Sequence, residues 1–197
     1  MPVPRLPNIP REDCSPAQLA LFDAIAGGTR LAMFGRDRLL NRDGSLQGPF
    51  NAMLQLPGLG NDLQRVGQSL RENGVLPARL REIAILVVAA RYRADFEWFA
   101  HAPVALREGV SQQALDALRK EEDPGFEDVR DRAAWRFARL LLDGGRLDEA
   151  QYGQVCTDLG KDGAVEIAIN VGYYITLALI LNAFEVALPE GAEPPFK

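Results

Sequence analysis

The sequence predicts an all-α protein, and three observations carry that prediction. Pro and Gly punctuate the chain at helix-length intervals. The most apolar runs are rich in Ala and Leu and too long for strands, and once the helices are placed no convincing strand run remains. At 197 residues the default is a single core.

The first dozen residues carry Pro2, Pro4, Pro7 and Pro10, each of which fixes φ and removes a backbone donor, so residues 1–14 read as an extended arm. Ser15-Pro16 has the form of a helix start, with Ser as N-cap and Pro at the first helical position; Leu19, Leu21, Phe22 and Ile25 supply its apolar face before Gly27-Gly28 ends it. Gly27 to Gly48 is rich in Gly, Arg, Asp and Asn. A loop of that length is either functional, as a lid or site wall, or a plain surface connection with one helical turn at Leu31 to Phe34.

Beyond Gly48-Pro49 the pattern is helical. Phe50 to Leu56 forms a short helix before Pro57, and Leu59 to Glu72 a second, closed by Asn73-Gly74. Ile83 to Ala90 has the periodicity of a buried strand as much as of a helix, but Pro77 to Tyr92 is unbroken by Gly or Pro, and that length decides for helix. Asp95 to Glu108 follows, with Pro103 inside it as a point of kinking or splitting. Ser111 to Lys120, Glu127 to Leu142, Asp148 to Leu159 and Ala164 to Phe184 complete the set. The domain is expected over 15–188, with 189–197 a tail. The run Glu82-Ile83-Ala84-Ile85 recurs as Glu166-Ile167-Ala168-Ile169. Such an echo arises from duplicated hairpins or by chance among common helix formers.

Composition excludes several classes. Hydrophobic residues at 47% and charged residues at 25% are an ordinary globular mixture, which rules out disorder over most of the chain. A net charge of −5 without a basic stripe argues against nucleic acid. Cys14 and Cys156 lie far apart with no C-x-x-C, which argues against a disulfide framework, a metal site or a dithiol redox motif. The N-terminal residues lack the basic start and apolar run of a secretory signal, so a cytoplasmic location is expected. Val171 to Leu181, the longest apolar stretch, falls short of the ~20 residues that cross a bilayer, so no membrane partner is expected.

The chain has one histidine, His101, four residues after Glu97, so that carboxylate and imidazole share a helix face. Such a pair sets the tautomer and raises the basicity of the ring, or is simply a structural pair. Glu82 starts a very apolar helix, where a carboxylate needs a partner, a helix end or a cleft. Together the three make a candidate acid–base site. Arg79 and Arg81 at the same helix start would pair with a substrate carboxylate or face solvent. Trp98, Phe99, Tyr173 and Tyr174 would wall an apolar pocket or simply fill the core.

The blocks Gly48-Pro49-Phe50-Asn51-Ala52-Met53-Leu54, Leu76-Pro77-Ala78-Arg79-Leu80-Arg81-Glu82-Ile83-Ala84-Ile85 and Phe96-Glu97-Trp98-Phe99-Ala100-His101, with Gly172-Tyr173-Tyr174 and Leu181-Asn182-Ala183-Phe184-Glu185-Val186, resemble the carboxymuconolactone decarboxylase family. The resemblance spans Gly48 to Pro189 and implies the helical bundle fold of alkylhydroperoxidase D. In the peroxidase branch a Glu precedes Cys-x-x-Cys-x-x-x-His; here the Glu falls on Glu82 and the His on His101, but the cysteine positions hold Ala94 and Glu97. Neither Ala nor Glu supplies the thiolate that attacks a peroxide. The decarboxylase branch has Glu at the second position, so the resemblance implies Glu97 and His101 as an acid–base pair in a cofactor-free lyase or isomerase acting on a small carboxylated lactone or keto acid. It also implies a homo-oligomer, a trimer or hexamer with a dimer as the alternative. Hydroperoxide reduction and a non-catalytic oligomeric helical protein are the competing readings.

Overall fold

The computed structural model describes residues 5–27 and 35–196, and among them helices account for all extended regular structure. The helices are α1 (Pro16–Ala26), α2 (Arg36–Leu39), α3 (Pro49–Met53), α4 (Pro57–Glu72), α5 (Ala78–Arg91), α6 (Asp95–Arg107), α7 (Gln112–Arg119), α8 (Val129–Asp143) and α9 (Glu149–Ala183). The expected all-α class is borne out, and most helix ends fall within two residues of those read from capping and punctuation. Pro103 sits inside α6 without splitting it. The two expected C-terminal helices are one run broken at Gly160, whose φ of 73° and ψ of 162° leave the helical region.

The chain divides into two compact units: Met1–Ser69 with Ile180–Glu193, and Leu70–Leu179 with Pro194–Lys197. In the first, Ser15 accepts from Gln18 N while the Gln18 side chain caps the Ser15 N–H, a reciprocal box that stabilises a helix start by about 1 kcal/mol. Leu21, Phe22 and Ile25 of α1 are buried, and α4 comes so close that a Cβ on Gly60 would meet the Met53 carbonyl oxygen at 2.4 Å. The described part of the proline-rich arm, residues 5–14, is tied down within this unit. Asn51 accepts from Ile9 N at 3.0 Å and donates to Pro7 O at 3.0 Å, Arg5 pairs with Glu185, and Arg11–Asp13 forms a 3₁₀ turn. One side-chain amide thus satisfies a segment whose prolines forbid a ladder. Pro2, Pro4 and the turn expected at Leu31 to Phe34 lie outside the described residues. What is described of the Gly27 to Gly48 segment is α2 and a tight turn in which Asp43 accepts from Ser45 and the side chains of Leu39, Ser45 and Leu46 are buried.

In the second unit α5 is the central helix. Every residue from Glu82 to Ala90 is buried, and α5 packs against α6, α7 and α8, so it has no solvent face to alternate with. This explains why its sequence reads as a continuous apolar run, the pattern that strand and buried helix share. Arg79 at its start pairs with buried Asp131 of α8 (2.5 Å), and Arg91 at its end bridges Glu121 and Asp143. The C-terminal tail lies on the start of α6: Phe196 N donates to Asp95 Oδ1 at 3.0 Å, and the Phe196 ring meets Trp98 edge-on at 5.4 Å.

Candidate active site

The sharp turn Tyr92–Ala94, with Arg93 at φ 49°, reverses the chain so that α6 returns along α5. This brings together side chains 19 residues apart in sequence. Glu82 Oε2 lies 2.8 Å from His101 Nδ1, both side chains largely buried. An ionised carboxylate only accepts, so the contact places the ring proton on Nδ1 and leaves Nε2 as the nitrogen available for proton transfer.

The structure therefore corrects the pairing read from spacing. Glu97 and His101 share a face of α6, yet the imidazole is held by Glu82 from the neighbouring helix, and both Glu97 oxygens are buried without a hydrogen-bond partner. Glu97 is 3% exposed, and burial pushes its carboxyl well above the usual carboxylate range. It stands in the first turn of α6, where the helix dipole favours an anion, so desolvation outweighs the dipole. Burial thus disfavours the charged form of this carboxyl.

Tyr174 closes the other side. Its ring meets the His101 imidazole edge-on at 5.0 Å, and Tyr173 meets Tyr174 at 5.2 Å. Burial raises the Tyr174 phenol well above its ordinary value, Arg71 opposes the rise, and Glu82 and Glu97 add to it. The hydroxyl thus stays a neutral donor within the electrostatic reach of both glutamates. Arg71, in the last turn of α4, is the cation that sequence reasoning missed. A basic residue at a helix C-terminus is common on dipole grounds, and nothing in its spacing distinguishes it.

The other expected site residues lie elsewhere. Arg79 is engaged with Asp131 and the Glu108 carbonyl oxygen (3.3 Å). Arg81 donates to Leu76 O and lies 3.6 Å from Glu166 Oε1. Neither is the solvated cation of the plainer reading; each joins α5 to a neighbouring element. Trp98 packs on Phe196, and Phe99 on Phe96 at 6.2 Å. Glu82, Glu97, His101, Tyr173 and Tyr174 are the ones brought together. Among the described residues no group of three or more His, Cys, Asp or Glu side chains has the arrangement of a metal site.

The family model for carboxymuconolactone decarboxylases matches residues 57–140, the stretch that holds Glu82, Glu97 and His101. That segment belongs to the carboxymuconolactone decarboxylase family. No curated protein matches the chain. Among solved structures, an uncharacterized peroxidase-related protein from Silicibacter sp. TM1040 superposes with a TM-score of 0.71 at 16% identity, covering 97% of this chain and 96% of that one. The debrominase Bmp8, in a Cys-to-Ala variant bound to 2,3,4-tribromopyrrole, gives 0.68 at 16% identity over 93% and 90%. An Agrobacterium tumefaciens protein of unknown function, described as an antioxidant defence protein of the AhpD type, gives 0.62 at 15% over 71% and 96%. At these identities the likeness is one of fold, and the alkylhydroperoxidase D-like helical fold is borne out.

Proposed function

We propose that the chain is a cofactor-free acid–base enzyme, a lyase or isomerase acting on a small carboxylated lactone or keto acid, with His101, Glu82 and Glu97 as its acid–base groups. The observation that carries this reading is the 2.8 Å contact of Glu82 with His101 beside a buried carboxyl that has no partner of its own. A positioned imidazole beside a carboxyl whose charged form burial disfavours suits proton transfer at carbon.

For decarboxylation of a lactone whose departing carboxylate is conjugated to the ring carbonyl, loss of CO2 leaves its electron pair in a dienolate spread onto that oxygen. The protein has to hold the substrate carboxylate, stabilise the oxyanion and return a proton to carbon. His101 Nε2 delivers that proton, with Glu82 on Nδ1 stabilising the imidazolium before transfer. Glu97, whose charged form burial disfavours, restores the proton to the site, and the Tyr174 hydroxyl donates to the oxyanion. This chemistry requires no metal or organic cofactor.

Hydroperoxide reduction has less support, because Ala94 and Glu97 occupy the thiol positions of the family pattern and the two cysteines, Cys14 and Cys156, lie in the arm and on α9. A panel of small carboxylated lactones and keto acids in D2O tests the proposal. CO2 release or carbon-bound deuterium, retained in the Cys14→Ser/Cys156→Ser double variant, is expected. Hydroperoxide turnover that disappears in the double variant overturns it.

A further inference from the structure

The turn that returns α6 along α5 is built on a residue ill suited to it. Arg93 stands at φ 49°, in the left-handed region where a side chain is strained and glycine is usual. The backbone nonetheless closes a helix stop there, with Arg93 N donating to Ala90 O at 3.0 Å and Ala94 N to Ala89 O at 2.9 Å. The next helix begins without a side-chain cap, because Ala94 holds the N-cap position and offers no acceptor to the free N–H groups of the first turn. Pro103 removes a further internal hydrogen bond later in α6. Local bonding thus holds the start of α6 weakly, yet that start sets where Glu97 and His101 stand.

A residue from far along the chain is seated on this turn. Phe196 N donates to Asp95 Oδ1 at 3.0 Å, and the Phe196 carbonyl oxygen accepts from the Arg93 guanidinium. The Phe196 ring lies edge-on to Trp98 at 5.4 Å, with Arg93 Cζ 5.7 Å from its centroid. Donor, acceptor and ring of one residue therefore engage Arg93, Asp95 and Trp98, on both sides of the uncapped Ala94. Pro194 and Pro195 fix φ just before Phe196, which lowers the chain entropy lost when the ring is seated.

We infer that Phe196 is a positioning residue for the Glu82–His101 pair. Trp98 precedes His101 by about one helical turn and follows Glu97 directly, so the seat of Phe196 fixes the height and rotation of the part of α6 that leads into the imidazole. The Glu82–His101 contact, 2.8 Å long, is lost with a displacement of about 1 Å. Releasing the ring lets the strained turn relax away from φ 49°, and α6 then shifts along α5 by that amount. The inference rests on the Glu82–His101 contact and not on the reaction proposed for it.

Because the chain has a single histidine, the contact has its own spectroscopic signature. With isotope-labelled histidine, two-bond proton–nitrogen correlation spectra recorded where the ring is neutral tell protonation on Nδ1 from protonation on Nε2. Wild type is expected to show the Nδ1–H form. Phe196→Ala is expected to keep its helicity and exchange that form for a mixture dominated by Nε2–H, which free histidine prefers, whereas Phe196→Tyr, which retains the ring, keeps the wild-type signature. Arg93→Gly added to Phe196→Ala is expected to bring the Nδ1–H form back, since glycine holds a positive φ without strain. The inference is overturned by an unchanged signature in Phe196→Ala, by its loss in Phe196→Tyr, by no recovery with Arg93→Gly, by a Phe196→Ala chain that unfolds as a whole, or by a wild type without the Nδ1–H form. A chain that meets every expectation yet turns over no lactone or keto acid supports the inference and counts against the reaction alone.

Discussion

Two stretches of four identical residues, Glu82-Ile83-Ala84-Ile85 on α5 and Glu166-Ile167-Ala168-Ile169 on α9, begin with glutamates buried to nearly the same degree, 9% and 7% exposed. They meet different partners. Glu82 receives an imidazole from the next helix, whereas Glu166 receives two backbone amides, Val75 N at 2.6 Å and Leu76 N at 2.9 Å, with Arg81 beside its other oxygen. Glu166 closes the turn between α4 and α5; Glu82 holds the imidazole of His101. The isoleucines diverge too: Ile85 is buried in the centre of its unit and Ile169 is half exposed. The difference lies in what is packed around each helix, and it teaches that a buried carboxylate is structural or chemical according to whether its partner can itself exchange a proton.

The widest separation of the two glutamates should appear in activity. Under the proposed acid–base function, His101→Ala is expected to lower kcat by roughly 10²–10⁴, the usual worth of a positioned acid or base. Glu82→Gln should cost less and move the pH profile, while Glu166→Gln should leave the profile in place. Identical profiles for the two Gln variants would erase the distinction.

Stability should separate them in the opposite sense. Glu166→Ala leaves two amides and the Arg81 charge without their carboxylate, a loss on the order of 3 kcal/mol in urea unfolding. A smaller loss is expected from Gly74→Ala, because the added Cβ would meet Glu166 Oε1 at 2.4 Å and the Leu70 carbonyl oxygen at 2.6 Å; about 1–3 kcal/mol is the usual cost of such overpacking. A neutral Gly74→Ala would show that the turn does not depend on the position of Glu166.

The subtlest test is a slope. The Glu97 carboxyl is raised in the folded state, so the protonated form is bound more tightly there than in the unfolded chain. Its stabilising contribution is complete below the unfolded-state pKa, ~4.3, and is lost as pH rises through the folded value. Glu97→Gln should therefore flatten the fall in stability at alkaline pH and stabilise the protein more at pH 8 than at pH 4. An unchanged slope would place an undetected partner on that carboxylate.

Much of the fold was legible because its signals are local. Ser15-Pro16 and Ser111 mark helix starts through hydrogen bonds that close within a turn, and the length of Pro77 to Tyr92 settles helix over strand. The site was legible in part. His101 and Glu82 are the side chains that make contact, but the i, i+4 rule pointed to Glu97 as the imidazole's partner, because spacing within one helix is visible and the approach of a neighbouring helix is not. Arg79 and Arg81 looked equally available to a substrate until Asp131 and Glu166, respectively 52 and 85 positions away in sequence, met them.

The sequence by itself determined the helices, their order, the absence of thiols at Ala94 and Glu97, and the family of the central segment, since each of these is written in residue types and short spacings. Only the tertiary structure decided which glutamate holds the histidine, which one is buried without a hydrogen-bond partner, and which face of α9 stays uncovered. Those depend on pairs of residues far apart in the chain, where desolvation and the choice of partner, rather than local propensity, set the energy of a charge.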